Sequence, residues 1–339
     1  MKILKKRVNV KNLILCLSVL IACQSEKSFE KKEVLGKAQG TTYQVLYRGE
    51  EKSNLKPQID SLLLEIDNSM STWVENSTIS KLNRGDSIEI DTIFKSVFQL
   101  SQLVHEKSSG LFDPGIAPLL EVWGFDYSKP KQMNAQTVDS LLAFSSLSFF
   151  ELDDNLLRKK DSRAKLSFNA VAQGYSVDLM AAVVEENGIE NYYVELGGEV
   201  KVRGRNFEGE WWRIGIDKPS GLNLERKLSA IVSLQNQAMV TSGNYRKFVE
   251  IEGQKYSHSV NPKTGYPVAH HLLSATVIAK NAGEADAYAT ACMVMGLEKA
   301  EAFIESLPKT EAIFIYDEKG EYQLKSTAGI AEQLESLEK

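Results

Sequence analysis

Apolar positions along the chain fall into two textures. Between 55 and 104 they recur every three or four residues. Ile59, Leu62, Leu63 and Ile66 mark one face of a helix over 55–70, and Val97, Leu100 and Leu103 mark another over 93–104. The stretch 171–187 keeps the same period and meets Gly188 at the C′ position, where a left-handed residue closes a helix. A shorter helical pattern covers 138–144. Residues 110–124, with Asp113-Pro114-Gly115 and Pro118, read as a structured loop or broken helix. Ahead of these, 41–47 alternates as a strand does. Past 190 the texture changes. The runs 192–196, 200–203, 211–216, 228–234 and 273–279 are β-like and are separated by Gly, Pro or Asn. A helix over 285–295 follows, then a closing hairpin, 312–316 and 322–325, over Asp317-Glu318-Lys319-Gly320. Helices first and strands later, without regular βαβ alternation, predict an α+β fold in one large domain or two intimately joined subdomains. No Gly-x-Gly-x-x-Gly follows a strand and no Walker A sequence occurs, so neither standard nucleotide fold is supported.

The N-terminus stands apart. Lys2, Lys5, Lys6, Arg7 and Lys11 precede an apolar run over 13–22, too short to span a bilayer and suited to a signal-peptide core. Leu20-Ile21-Ala22-Cys23 resembles the lipobox of bacterial lipoproteins, which implies cleavage before Cys23 and lipidation of its sulfur and amine. A plain signal peptide with an incidental cysteine is the alternative. On this reading 1–22 is a signal peptide, 23–36 a polar tether and 37–339 the folded domain, held at a bacterial membrane and facing the periplasm. Charge then shifts: the leader carries +5, so the formal −5 of the whole chain becomes −10 in the remainder. That acidity argues against a nucleic-acid binder. With 43% hydrophobic and 25% charged residues, the chain is neither a disordered tail nor a polytopic membrane protein. Of its three cysteines, Cys16 leaves with the leader and Cys23 is acylated, so Cys292 has no partner for an intrachain disulfide.

Candidate chemistry lies in five segments. Asp286 and Thr290 are four apart and share one helical face; a carboxylate and a hydroxyl there suit Mg²⁺. Their spacing alone equally fits a helix cap and a threonine bonded to its own backbone. Ser167-Phe168-Asn169-Ala170-Val171-Ala172-Gln173-Gly174-Tyr175 carries small residues into a helix, which permits close backbone approach to a ligand or tight helix–sheet packing. Thr241-Ser242-Gly243-Asn244-Tyr245-Arg246 is a possible anion cradle or an ordinary corner. His258 precedes a Pro-containing turn and could orient phosphate or move a proton, although a lone histidine is more often structural. Trp73, and Leu111, Phe112 and Asp113 with Trp123-Gly124-Phe125, offer aromatic faces that could sandwich a ring or fill a core.

Taken in order, these segments resemble the ApbE family of FAD:protein FMN transferases. The matches are Gly40-Thr41-Thr42-Tyr43, Ser71-Thr72-Trp73, Ser80-Lys81-Leu82-Asn83, Gly110 to Pro114 with Trp123-Gly124-Phe125, Ala172-Gln173-Gly174-Tyr175, Glu195 to Glu199, Thr241 to Tyr245, His258 to Pro267, and Ala285-Asp286-Ala287 with Thr290. The resemblance implies a fold of mixed, largely antiparallel sheets with packed helices. It implies Mg²⁺ on Asp286, Thr290 and the Ala170 carbonyl. FAD, as substrate, is expected at Gln39, Trp73, Asn83, Leu111, Phe112, Asp113, Ser167, Gln173 and Val260. The family usually carries an acid where Asn261 and Ser167 stand, and often Asp where Glu199 stands. The implied reaction moves FMN from FAD to a Ser or Thr hydroxyl of an acceptor protein and releases AMP, with His258 as candidate catalytic residue. Implied acceptors carry a motif of the type Asp-x-x-Ser/Thr-Gly-Ala-Thr/Ser, as in subunits of sodium-pumping NADH:quinone reductase and related redox complexes. A Mg²⁺-dependent FAD pyrophosphatase and a non-catalytic flavin-binding lipoprotein are the alternatives.

Overall fold

The computed structural model describes residues 30–337 apart from 51, 86, 126–133, 220–226, 245–247, 252–253 and 258. Its centre is an eight-stranded sheet. In spatial order the strands are β1 (Lys31–Ala38), β2 (Thr41–Arg48), β6 (Tyr192–Leu196), β7 (Glu199–Arg203), β10 (Ala238–Gly243), β13 (Leu272–Ala279), β14 (Glu311–Glu318) and β15 (Glu321–Ser326), each antiparallel to its neighbour. The inner strands are covered on both faces, so they read as near-continuous apolar runs rather than as clean alternation. Alternation survives in where the side chains go. Ala238, Val240, Ala275, Val277, Ala312 and Phe314 join the core under the helices. Met239, Ile278, Ile313 and Ile315, with Val200 and Val202, join a second core on the opposite face.

That second core is closed by a three-stranded antiparallel sheet of β8 (Trp212–Asp217), β9 (Leu228–Leu234) and β16 (Leu334–Ser336), which brings Trp212, Ile216, Ala230, Val232 and Leu234 against the main sheet. On the helical face, α6 (Ala172–Glu186) lies on β6 and β7, and α7 (Ala282–Met295) lies on β10 and β13. Outside them, α1 (Leu55–Met70) packs on α6 and α3 (Thr92–Lys107) packs on α7. The remaining described elements border these layers. They are the helices α2 (Thr78–Arg84), α4 (Ala117–Trp123), α5 (Ala135–Leu142) and α8 (Leu297–Glu305), the small sheet β3 (Ser87–Glu89), β5 (Leu156–Lys159) and β4 (Phe150–Asp153), the ribbon β11 (Phe248–Ile251) and β12 (Gln254–Ser257), and short 3-10 helices at Leu147–Phe149 and Ala328–Gln333. Among the described residues no helix is long and apolar enough to cross a membrane.

The α+β expectation holds, with differences in detail. The segment expected to be tether as far as residue 36 is structured from Lys31: β1 pairs along its whole length with β2, and Val34 and Ala38 pack against the core. An edge strand tolerates the charges that made it look like a linker, because its other side chains stay in water. The 110–124 loop contains α4, closed by Gly124 in the left-handed region (φ 77°). Helix α7 starts three residues earlier than the 285–295 pattern, at Ala282. It is buried nearly all round, so it has no amphipathic stripe to mark its first turn.

Candidate active site

A cleft of about 1850 Å³ opens between the helical layer, the main sheet and β8. That exceeds the roughly 300–1,000 Å³ of a drug-sized site, and leaves room for a dinucleotide beside a second reactant. One wall is α7. Asp286 stands there with its residue surface almost fully buried, and Thr290 stands one turn further along; both line the cleft. Burial pushes the Asp286 carboxyl up to about 7, and the opposing pull comes from a single hydrogen bond, donated by Gly174 N–H to Oδ2 (3.1 Å). Among the described residues no basic side chain forms an ion pair with it.

Gly174 lies in the first turn of α6, which starts at Ala172, so its N–H is one of the donors that a helix start leaves without an intrahelical partner, and the Asp286 carboxyl group takes it up. The helical pattern begins with Tyr175 N–H, which reaches Val171 O (3.0 Å). Ala170 lies ahead of the helix; its carbonyl accepts from no backbone N–H among the described residues, and the residue lines the same cleft. A backbone carbonyl, a buried carboxyl group and a hydroxyl therefore border one space. Only glycine permits this at 174, since a Cβ there would lie 2.3 Å from Ala282 O and 2.7 Å from Asp286 Cβ. Across from Thr290, at 3.5 Å between hydroxyl oxygens, is Ser242 at the end of β10. Tyr245 and Arg246 of the same motif lie outside the described residues, as do His258 and Cys23.

The other expected site residues divide. Gln39, Trp73, Leu111, Phe112, Asp113, Ser167, Gln173 and Val260 all line the cleft. Trp73, three residues beyond the end of α1, is 68% exposed. Gln39 adopts a left-handed backbone (φ 50°) in the turn between β1 and β2, and its amide donates to Ser176 on α6 (2.7 Å). Asp113 turns its oxygens inward. Oδ1 accepts from Gly115 N–H and Leu147 N–H, both at 2.8 Å, and Oδ2 lies 3.4 Å from His105 Nδ1. Burial pushes its carboxyl up, against the lowering effect of His105 and these N–H groups. Its side chain shapes the loop that presents Leu111 and Phe112.

Asn83 differs from the rest. It does not line the cleft. Its amide donates to Leu166 O (2.9 Å) and its carbonyl accepts from Leu166 N–H (2.8 Å), so its polar groups are spent holding the strand-like segment that leads to Ser167. Asn261, where the family usually has an acid, also serves the backbone: Oδ1 accepts from Lys263 N–H (2.8 Å) and its carbonyl from Gly265 N–H (2.8 Å), closing the turn under Trp123. Sequence reasoning passed over Asp178, whose carboxylate caps α7 from the neighbouring helix. The available signal was an acid one turn beyond Gly174, between Val177 and Leu179.

Fold and cleft together define an α+β protein with a dinucleotide-sized cleft and an oxygen-donor wall. The model of the ApbE family matches residues 39–314, and the chain belongs to that family. It is 31% identical to the FAD:protein FMN transferase of Haemophilus influenzae over 94% of this chain and 95% of that one. The corresponding protein of Vibrio cholerae is 32% identical over 87% and 90%. Among solved structures, the flavin transferase ApbE of Vibrio cholerae superimposes with a TM-score of 0.81 at 28% identity, covering 90% of this chain and 99% of that one. The Pseudomonas stutzeri flavinyl transferase in its apo form gives 0.80 at 30% identity, covering 90% and 97%.

Proposed function

We propose that this protein is a Mg²⁺-dependent FAD:protein FMN transferase. The observation that carries the reading is the set of oxygens on one wall of the cleft: the buried Asp286 carboxyl group, the Thr290 hydroxyl and the Ala170 carbonyl, which accepts from no backbone N–H among the described residues. The donor set fits a hard divalent cation, since all three groups are oxygens and the carboxylate lacks a cationic partner among the described residues. Ala170, Asp286 and Thr290 would hold it. When bound, Mg²⁺ neutralises charge on the pyrophosphate oxygens of FAD.

The chain's own residues do the rest. Trp73 lines the cleft and contributes an aromatic ring for a flat ligand, and the loop pinned by Asp113 presents Leu111 and Phe112 to the cleft. Gln39, Ser167, Gln173 and Val260 line the space between and orient the nucleotide. The acceptor hydroxyl oxygen attacks the phosphorus of the FMN half. The bond from that phosphorus to the bridging oxygen breaks, AMP leaves with that oxygen, and the hydroxyl proton is given up; His258 is the residue we assign to this proton or to the phosphate. The acceptor is a protein with a Ser or Thr in a flavinylation motif, of the kind found in redox-complex subunits. Cys23 anchors the enzyme by lipid at a bacterial membrane, facing the periplasm.

The test is mass spectrometry of a motif-bearing acceptor incubated with the protein, FAD and Mg²⁺. A mass gain equal to FMN, lost on chelation and in Asp286→Ala, is expected. Release of AMP and free FMN with an unmodified acceptor would instead make the protein a pyrophosphatase, and tight metal-independent binding without turnover would make it a flavin carrier.

A further inference from the structure

Helix α7 carries the candidate metal side chains, yet its first turn is held from outside. Asn281 occupies the N-cap position in extended backbone (φ −119°, ψ 142°) but makes no side-chain cap bond; its amide donates to Glu284 Oε2 instead (3.1 Å). The cap comes from Asp178 on α6. Its Oδ1 accepts from Ala282 N–H (3.0 Å) and its Oδ2 from Gly283 N–H (2.9 Å), taking up two of the donors that a helix start leaves orphaned. Lys201 of β7 ion-pairs with the same carboxylate (2.6 Å), which ties the grip to the main sheet.

Two further facts make this more than a cap. Gly174 and Asp178 are four apart on α6 and share the face turned to α7. One holds the Asp286 carboxylate and the other holds the backbone one turn before it. The contact between the helices is also close to its steric limit at Gly174, and at Gly283, where a Cβ would lie 3.3 Å from Tyr175 Cα. Little slack remains, so a shift of the first turn carries Asp286 with it.

We propose that Asp178 is a positioning residue for the metal-binding carboxylate, setting the place of Asp286 in the cleft through the first turn of α7. The proposal rests on the metal-dependent reading above. Its test uses the full chain and Mn²⁺ as the probe, with affinity measured by electron paramagnetic resonance in the absence of FAD and acceptor. Asp178→Ala should weaken Mn²⁺ binding about tenfold or more. It should lower kcat with little change in the KM for FAD, and speed amide exchange in the first turn of α7. Asp178→Asn, which keeps an acceptor oxygen, should recover part of the Mn²⁺ affinity; if the alanine variant does not fold, a value below wild type in the asparagine variant decides. Wild-type Mn²⁺ affinity in a folded variant, with the loss confined to melting temperature, overturns the proposal, and so does a wild-type chain that binds no Mn²⁺. A wild-type chain that binds Mn²⁺ but modifies no acceptor would overturn the transferase reading and leave the Mn²⁺ comparison intact.

Discussion

Asp286 shows how burial sets both chemistry and stability. Its pKa rises on folding from an ordinary 3.8 to about 7. Between those values the native state holds a proton that the unfolded chain has released, so stability from this group is complete below about pH 4 and is lost as pH rises through 7. Metal-free protein should therefore melt at lower temperature at pH 8 than at pH 5, with a flatter profile in Asp286→Asn; parallel profiles for the two would show that the carboxyl is not held protonated. On the proposed metal-dependent reading, in which the ionised form is the ligand, Mn²⁺ affinity should rise across the same window. Trp73 presents the opposite case. It is mostly solvent-exposed, so Trp73→Ala should change stability by no more than about 0.5 kcal/mol. Loss of a stacking face costs about 1–3 kcal/mol per ring, so the KM for FAD should rise about tenfold or more. A marked stability loss with unchanged KM would place Trp73 in the fold rather than at the ligand. Asp286, Thr290 and Trp73 were legible as residue types. Which backbone groups face them was not, because the bond from the first-turn N–H of Gly174 to Asp286 joins residues 112 positions apart.

At the scale of elements, the site is made by segments whose own sequences look unremarkable. The Asn83 latch from α2 is one: two hydrogen bonds fix Leu166, and Ser167 follows at the cleft. Asn83→Ala strands both backbone groups of a buried residue, at about 1–3 kcal/mol. We expect a lower denaturation midpoint together with weaker FAD binding, and a variant with normal binding would separate this latch from the site. Sequence placed Asn83 beside the ligand because its motif belongs to the site-forming set, but the side chain supports the wall from behind. Helices α1, α3 and α6 were legible because a stripe of apolar residues faces one core. Strand β1 was not, since an edge strand that opens on Lys31, Lys32 and Glu33 has the composition of a linker; pairing with β2 decides it.

The whole molecule is a sheet buried from both sides, and its cleft has walls from both cores. Ile313 and Phe314 are neighbours on β14, yet they serve opposite layers. Ile313→Ala should cost about 2–5 kcal/mol. By loosening the layer under β8 it should also weaken FAD binding, which is measured by denaturation alongside nucleotide titration. Unchanged FAD affinity in that variant would mean that the β8 wall stands independently of the core beneath it. The chain alone determined the α+β class, most helices and many of the residue types that line the cleft, because periodicity and turn chemistry are local properties. It also carried the ordered motifs that place it in its family. Tertiary structure alone decided that eight of the strands form one sheet with two covered faces, that Asn83 and Asn261 hydrogen-bond to backbone, and that α6 grips α7 through Gly174 and Asp178. Those outcomes depend on which distant groups meet at hydrogen-bonding distance, and no local pattern encodes that meeting.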